Sequence, residues 1–329
     1  MNGKKLLRFV EYLFTFVVVV TLNFAIPRLM PGGPFAAMFT DLGESASLFA
    51  QEQRRYFMEY YGLDRPVLEQ YIRYIKDLAR GNLGFSYYYK EPVLNLVLRR
   101  LPWTLFIVLL STVLSFLLGI LLGSFSAWRR NTWCDVLLYS VMVVSGTVPS
   151  FLIGLFLLFS LAAGLGIFPL SGATSHFVQY ESIWENLADI LRHAALPVLT
   201  LTLARTSGVY QLVRNSLITV LSREYMVTAR AKGLREVRIR YRHALRNAIL
   251  PLVTRFALQM AGFVGAAIVA ENVFAYPGLG RLIREAVFVR DYPILQGVFI
   301  VVAVWVLGAN IIADMLYRRL DPRTKNNEL

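Results

Sequence analysis

The chain has 329 residues, of which 56% are hydrophobic and 17% are charged, and its formal net charge is +13. A soluble domain would carry about 25% charged residues, and several apolar runs here approach or exceed the roughly 20 residues that cross a bilayer. The composition therefore excludes an ordinary soluble domain and predicts an all-α polytopic membrane protein. Its single cysteine, Cys134, excludes an internal disulfide and a cysteine-built metal site.

Six apolar stretches predict membrane-spanning helices. They are Leu7–Leu29, Pro102–Ala127, Val136–Leu165, Ala194–Leu217, Leu250–Ala270 and Ile294–Leu316. The chain accordingly divides into four regions. Residues 1–30 form the N-terminus and first helix, and residues 31–101 form an extracytoplasmic helical segment. Residues 102–317 form the core of helices two to six, with a cytoplasmic loop at 218–250, and residues 318–329 form a cytoplasmic tail. The first apolar run lacks a small-residue cleavage site, so we expect it to be a retained span.

The distribution of charge predicts the orientation. An even number of spans places both termini on one side, and lysine and arginine favour the cytoplasm. With both termini cytoplasmic, the outer segments carry equal numbers of basic and acidic residues, and the whole positive excess is cytoplasmic. The basicity therefore reports orientation and contact with membrane lipid, and we expect no nucleic-acid partner.

The segment between the first two spans predicts an amphipathic helix. Asp64 is a candidate N-cap, Pro66 suits a first turn and Gly81 a C-cap. The apolar residues between them follow the helical period of 3.6 residues. They are Leu68, Tyr71, Ile72, Ile75 and Leu78. A second amphipathic helix is predicted from Ser47 to Tyr61.

Span three predicts an interrupted helix. Ser145, Thr147, Pro149 and Ser150 place a proline and three hydroxyl residues inside an apolar run. Proline removes one backbone hydrogen bond and bends the helix, and hydroxyl groups can satisfy the freed carbonyl. Two interpretations stay open: a kink that improves packing, or a polar lining beside a translocation path.

The segment after span five predicts a turn and a short helix. The turn is expected at Tyr276, Pro277 and Gly278, and the helix near Arg281–Val289, before Asp291 and Tyr292. These residues are candidates for an outer gate or for contact with a delivering partner. A purely structural connector is the alternative.

The cytoplasmic loop Glu224–Pro251 is strongly basic and helical in pattern. Gly233 interrupts the pattern, which predicts two short helices that meet at a bend. Pro251 falls where the next span begins. A positive loop could lie on anionic headgroups, but its length favours a docking element that transmits rigid-body motion.

The same loop resembles the signature loop of binding-protein-dependent ABC importer permeases, and the dipeptide/oligopeptide/nickel branch in particular. The stretches that carry the resemblance are TARAKGL, from Thr228, and HALRNAILP, from His243. Other marks of the family recur along the chain. They include Arg28–Pro34, Tyr61–Pro66, Gly81–Gly84, Arg100–Pro102, Pro149–Phe151, Leu196–Thr200, Tyr276–Gly280, Arg290–Pro293 and Asp321–Arg323. One departure concerns Val227-Thr228-Ala229, which stands where the wider superfamily has Glu-Ala-Ala, so the role of that glutamate does not carry over.

The resemblance implies a type I importer permease in the cytoplasmic membrane of a bacterium or archaeon. Its partners would be a second homologous permease, two cytoplasmic ABC ATPases and an extracytoplasmic solute-binding protein. The residues that the resemblance assigns to the coupling loop are Glu224, Ala229, Ala231, Gly233, Leu234, His243, Asn247 and Pro251. The sequence itself has no G-x4-G-K-[ST] loop, so we expect ATP and Mg²⁺ on the partner ATPases and no enzymatic activity or cofactor here.

The resemblance leaves the cargo open between di- or oligopeptides and nickel or a metal chelate. No histidine or methionine cluster selects for metal, and His176, His193 and His243 are too scattered to be ligands. His193 is expected at the membrane interface, at the start of span four. A secondary transporter or channel is the alternative class, but neither an inverted repeat nor a self-sufficient path is evident.

Arg205 lies inside span four, where the family would have an apolar residue. An arginine within the membrane costs several kcal/mol unless it faces water or a partner. It could contact a carboxylate of a peptide cargo, or pair with an acidic residue on a neighbouring helix, which is the interpretation we favour. With Gln259 and with Ser145, Thr147, Pro149 and Ser150 of span three, it forms the candidate translocation path.

Overall fold

The computed structural model describes residues 3–29, 55–56, 58–59, 62, 64–175, 177–248 and 250–320. Within these ranges the chain is almost entirely helical, and its β-structure is confined to a bridge between Phe85 and Pro92. The chain divides into two compact units. One comprises Met1–Pro102 and Gly278–Leu307, and the other comprises Trp103–Pro277 and Gly308–Leu329.

The helices follow the apolar runs of the sequence. The first five are α1 (Gly3–Leu29), α2 (Val67–Ala79), α3 (Val93–Trp128), α4 (Trp133–Thr147) and α5 (Ser150–Leu157), which continues as a π-helix over Leu158–Gly164. Next come α6 (Ile183–Leu221), α7 (Glu224–Ala231), α8 (Glu236–Arg238), a π-helix over Ile239–Leu245, and α9 (Arg246–Ala248). The last four are α10 (Leu250–Ala261), α11 (Phe263–Val273), α12 (Leu279–Val289) and α13 (Tyr292–Leu320).

Within the part of the chain that the structure describes, three helices are long and apolar enough to cross a membrane, and there are four if the bent pair α4–α5 counts as one span. The three are Val93–Trp128, Ile183–Leu221 and Tyr292–Ile312, and shorter apolar helical stretches lie at Val10–Ile26 and Val264–Val273. These lengths confirm the class of helical, multi-pass membrane protein that the composition predicts.

The predicted interruption of span three is confirmed as a sharp bend. Helices α4 and α5 meet at 98° across Val148 and Pro149. Ser145 Oγ donates to the carbonyl of Met142 at 3.0 Å, and Thr147 Oγ1 donates to that of Val144 at 2.8 Å. The hydroxyl groups therefore bond to carbonyls near the end of α4, but not to the Ser145 carbonyl that Pro149 would free.

The helix that contains span four begins before the predicted span. Helix α6 starts at Ile183, because Ser182 is its N-cap and accepts a hydrogen bond from the Trp184 backbone N–H. His193 consequently lies ten residues inside the helix and is buried beside Asp189, at 3.3 Å. The helix is about twice as long as a single span requires, so the position of His193 at the membrane interface stays a prediction.

Two further boundaries differ from the predictions. Span five is broken at Gly262, which caps α11 and separates it from α10. Helix α2 is capped by Pro66 rather than Asp64, and it ends at Arg80 before Gly81, whose φ of +76° is favourable for glycine. The predicted helix from Ser47 to Tyr61 lies mostly outside the described residues.

Helices α3 and α6 approach each other closely through two glycines. A Cβ built on Gly123 would lie 2.8 Å from the carbonyl oxygen of Tyr210 and 2.9 Å from Val213 Cβ. A Cβ built on Gly119 would likewise clash with the side chain of Val209. The basic loop packs against these two helices.

Candidate functional site

The loop between α6 and α10, which we call the basic segment (Glu224–Ala248), packs onto α3 and α6 through its apolar side chains. Met226, Ala229, Ile239, Ala244 and Ala248 are buried. They share one apolar cluster with residues of α3, α6 and α10, namely Phe116, Ala127, Val209, Val213, Leu217 and Leu252. A force applied to the segment would therefore be transmitted to these helices.

The bend of the basic segment is centred on Gly233. This residue has φ +68°, and a Cβ built on it would meet no atom within 4 Å. Its N–H donates to the Arg230 carbonyl at 2.9 Å and so closes the end of α7. The two predicted helices are present. Position 233 favours glycine because of its positive φ and not because a side chain would clash with neighbouring atoms.

The outward surface of the basic segment combines cations with exposed apolar side chains. The exposed basic residues are Arg230, Lys232, Arg235, Arg238, Arg242 and Arg246. Among them lie the exposed side chains of Tyr225, Val227, Val237 and Tyr241. These exposed apolar residues were not predicted from the sequence. Helical periodicity does not separate them from the buried ones, since Tyr225 and the buried Ala229 are four residues apart on one side of α7.

The residues that the resemblance assigns to this segment fall into two groups. Glu224, Ala231 and Gly233 are exposed, whereas Ala229 is buried and Leu234 packs against the apolar cluster. The other assigned residues lie in its second half. Asn247 donates to the hydroxyl of Tyr225 at 3.1 Å and to the carbonyl of His243 at 3.0 Å, and Pro251 lies in the first turn of α10.

A buried polar cluster ties together the ends of α3, α4 and α6 close to this segment. Arg214 forms two hydrogen bonds with Asp135, at 2.9 and 2.8 Å, and both side chains are largely buried. Ser126 bonds to Asp135, and Tyr210 bonds to Ser126 at 2.6 Å. This cluster could not be predicted from the sequence, because its members are up to 88 residues apart.

Arg240 of the basic segment points inward, unlike the exposed cations. Its guanidinium lies 3.9 Å from the centre of the Trp128 ring, at the end of α3. A cation over an aromatic face is favourable by about 0.5–2 kcal/mol, depending on desolvation. This contact adds a second attachment between the basic segment and α3.

Three of the six candidate path residues form side-chain hydrogen bonds within the protein. Ser145 and Thr147 bond to carbonyls of their own helix, as described above, while the buried Gln259 Oε1 has no hydrogen-bond partner among the described residues. Arg205 Nη1 donates to Thr112 Oγ1 at 2.7 Å. The described residues provide no ion pair for Arg205, so the acidic partner that the sequence favours is not found. The partner of Arg205 is instead the Thr112 hydroxyl on α3.

Asp291 is the centre of a second polar group, which we call the Asp291 cluster (Ser86, Tyr88, Tyr89, Glu285 and Asp291). Its carboxylate accepts from Ser86 Oγ at 2.7 Å and from the Tyr88 backbone N–H at 2.9 Å. Burial raises the pKa of Asp291, and these hydrogen bonds oppose the rise.

Tyr89 donates to Glu285 at 2.6 Å. Burial, together with this bond, raises the pKa of Tyr89 to about 12, so the phenol keeps the proton that it donates. Glu285 also accepts from Arg281 at 2.9 Å. The cluster thus holds its carboxylates in place through several donors.

The residues predicted for an outer gate or partner contact are mostly buried. Tyr276, Asp291 and Tyr292 are at most 4% exposed. The Tyr276 ring packs edge-on against Trp103 at 5.8 Å, and burial, then the charge of Glu271, raises the pKa of Tyr276. Gly278 is an extended cap before α12, so the predicted turn passes directly into helix. This placement favours the structural connector over direct contact.

Long apolar helices, a sharply bent pair and a basic helical segment inserted before α10 together define a membrane transport component. The chain belongs to the family described as binding-protein-dependent transport system inner membrane component, whose model matches residues 119–326. The match includes the whole basic segment.

Several curated relatives resemble the chain over nearly its full length. Oligopeptide transport system permease protein AppB of Bacillus subtilis (strain 168) is 35% identical over 306 residues, 93% of each chain. Di/tripeptide transport system permease protein DppB of Pseudomonas aeruginosa (strain UCBPP-PA14) is 32% identical over 325 residues, 95% of each. Dipeptide transport system permease protein DppB of Escherichia coli (strain K12) is 31% identical over 330 residues, 95% of this chain and 96% of that one.

The fold is also similar to a solved structure. A chain of the MetNI methionine ABC transporter, solved in inward-facing conformations, superposes with a TM-score of 0.57 at 15% identity. The superposition covers 69% of this chain and 96% of that chain. At this identity the similarity supports the fold alone.

Proposed function

We propose that this chain is a permease subunit of an ATP-driven, solute-binding-protein-dependent importer of di- and oligopeptides. The observation that carries the proposal is the basic segment, which is buried on one side against α3 and α6 and exposed on the other. The family places the chain in such a transport system. The curated relatives are named for oligopeptide, dipeptide and di/tripeptide transport, which favours peptides over nickel.

We assign six membrane-spanning helices to the type I importer fold. They would be α1, α3, the bent pair α4–α5, α6, the broken pair α10–α11 and α13. The first and fifth are the shorter apolar helices, so their inclusion is part of the proposal. Both termini and the basic segment would then be cytoplasmic, in agreement with the positive-inside rule.

The exposed surface of the basic segment would bind a partner ATPase. Tyr225, Val227, Val237 and Tyr241 provide apolar area, and the surrounding cations provide orientation and rapid association. ATP and Mg²⁺ would be held by two such partners, because the sequence has no phosphate-binding loop of its own. A second homologous permease and an extracytoplasmic solute-binding protein complete the proposed assembly.

Transport would proceed by alternating access. Movement of the ATPases would displace α7 and α8 around Gly233, and the apolar cluster would carry the displacement into α3 and α6. The hydrogen-bonded group of Asp135, Arg214, Ser126 and Tyr210 would make α3, α4 and α6 move together. The substrate path would then open alternately to the two sides of the membrane.

Reconstitution into proteoliposomes with its partner subunits tests this function. We expect uptake of a labelled di- or tripeptide that requires ATP and the loaded solute-binding protein, and no uptake by this chain alone. Uptake by the isolated chain without ATP would contradict the proposal and would favour a secondary transporter or channel. Uptake of a nickel chelate but of no peptide would contradict the cargo.

A further inference from the structure

Two arginines, Arg205 on α6 and Arg255 on α10, lie beside neighbouring turns of α6. Arg205 lies near the middle of α6. The guanidinium of Arg255, on α10, lies against Gly208, where a built Cβ would be 3.3 Å from Arg255 Nη2. Gly208 follows Arg205 by three residues, which is about 4.5 Å along the helix axis. The Arg255 guanidinium therefore lies beside α6 about one turn beyond Arg205, whose own guanidinium contacts Thr112 of α3.

The described residues do not neutralise either cation. Arg205 donates one hydrogen bond, to Thr112 Oγ1, and the described residues offer no acceptor to its Nε or Nη2 groups. Arg255 is exposed and has no ion pair in the same part of the chain. Because a charge in the membrane interior is costly without water or a counter-charge, two such groups indicate a place that an anion visits.

The surface beside Arg255 is exposed along one face of α10 and α11. Arg255, Leu258, Gly262 and Gly265 are exposed and recur every three or four residues along α10 and α11, so they share one face. A Cβ built on Gly265 would meet no atom within 4 Å. This glycine-containing strip offers room for an extended chain next to the two cations, and the unpaired Gln259 lies one turn beyond Arg255.

We propose that Arg205 and Arg255 bind a carboxylate of the peptide cargo during its passage through the membrane. This inference rests on the function proposed above. Guanidinium groups bind carboxylates through paired, charge-assisted hydrogen bonds, and each peptide with a free C-terminus carries such a carboxylate. The Thr112 hydroxyl orients the Arg205 guanidinium and leaves its other donors available.

The test compares two probes, trialanine and trialanine amide, in proteoliposomes that contain the complete transporter. We expect Arg205→Leu to lower ATP-dependent uptake of the free acid about tenfold, the size of one charge-assisted hydrogen bond, and that of the amide less than about twofold. Arg205→Lys retains the charge and should have an intermediate effect. Arg130→Leu, which removes an exposed arginine between α3 and α4, is the control.

The outcomes separate the inference from the proposed function. Wild-type protein that imports neither peptide with ATP would contradict the proposed function. Normal wild-type uptake with an unchanged ratio of acid to amide in Arg205→Leu would overturn this inference alone, as would an equal loss of both peptides. A loss that follows the anionic lipid content of the vesicles would assign the arginines to lipid phosphates and would also overturn it.

Chemical labelling gives a second measurement that does not depend on transport. We expect trialanine to protect Arg205 and Arg255 from phenylglyoxal in the purified complex, and trialanine amide to protect them much less. Equal labelling with either peptide would overturn the proposal even if Arg205→Leu assembled poorly.

Discussion

The basic segment and the Asp291 cluster use charged residues in opposite ways. In the basic segment most cations are exposed around a bend, and only its apolar side chains are buried. In the Asp291 cluster the carboxylate itself is buried and held by a hydroxyl and a backbone N–H. The difference indicates that the first region is built to bind and move, and the second to hold its shape.

The largest effect is expected where a buried charge supports the basic segment. Arg214→Met leaves the carboxylate of Asp135 buried without its partner, which should destabilise the protein by about 3–5 kcal/mol. Arg65→Met removes an exposed pair with Glu69 and should cost less than about 1 kcal/mol. Thermal unfolding of the purified protein measures both. Similar shifts for the two variants would show that the Asp135 pair does not support the helices.

A smaller effect is expected in the Asp291 cluster. Asp291→Ala leaves Ser86 Oγ and the Tyr88 N–H without their acceptor, which should cost about 1–3 kcal/mol. Glu69→Ala removes an exposed carboxylate and serves as the control. If unfolding midpoints of the two variants coincide, the description of the cluster as a fixed structural element is wrong.

The bend at Gly233 should tolerate residues according to backbone conformation. Gly233→Ala places a Cβ in the left-handed region and should cost about 1–2 kcal/mol, whereas Gly233→Asn should cost less, because asparagine adopts this region more readily. Gly308→Ala is the matched control, since both glycines have open space around a built Cβ and only Gly233 has a positive φ. We expect ATP hydrolysed per peptide imported to rise in Gly233→Ala and in Gly233→Trp. Normal coupling in Gly233→Trp would contradict the role of the bend.

The smallest effect concerns pH. Because the pKa of Asp291 in the folded protein lies above its ordinary value of 3.8, the folded state keeps a proton that the unfolded chain has lost. Stability should therefore fall as pH rises from about 3.8 through the raised pKa, and level off above it. Asp291→Asn should abolish this dependence, and Glu69→Gln should preserve it. Unfolding midpoints across acidic pH measure the difference.

Local features of the structure were predictable from the sequence, and contacts between distant residues were not. The bends at Pro149 and Gly233 follow from proline chemistry and from an interrupted helical period, which are properties of neighbouring residues. The partner of Arg205 is Thr112, 93 residues away, and that of Arg214 is Asp135, 79 residues away. Apolar periodicity identifies which residues are helical, but not which helices pack together.

The candidate site shows the same limit. The position and basicity of the coupling segment were predictable, while its exposed apolar side chains became evident only when burial separated them from the apolar cluster. The break at Gly262 was also missed, because a single glycine in an apolar run is compatible with an unbroken helix. Its effect depends on packing that the sequence does not encode locally.

The central claim is that the exposed surface of the basic segment binds the ATPase and receives its motion. Val237→Asp and Val67→Asp make the same substitution at similarly exposed valines, 65% and 62%, on the basic segment and on α2. The most direct measurement is the amount of ATPase that co-purifies with each variant, together with ATP-dependent peptide uptake. We predict that Val237→Asp loses most of the bound ATPase and of the uptake, while Val67→Asp retains both. Equal ATPase binding and uptake in the two variants would contradict the claim.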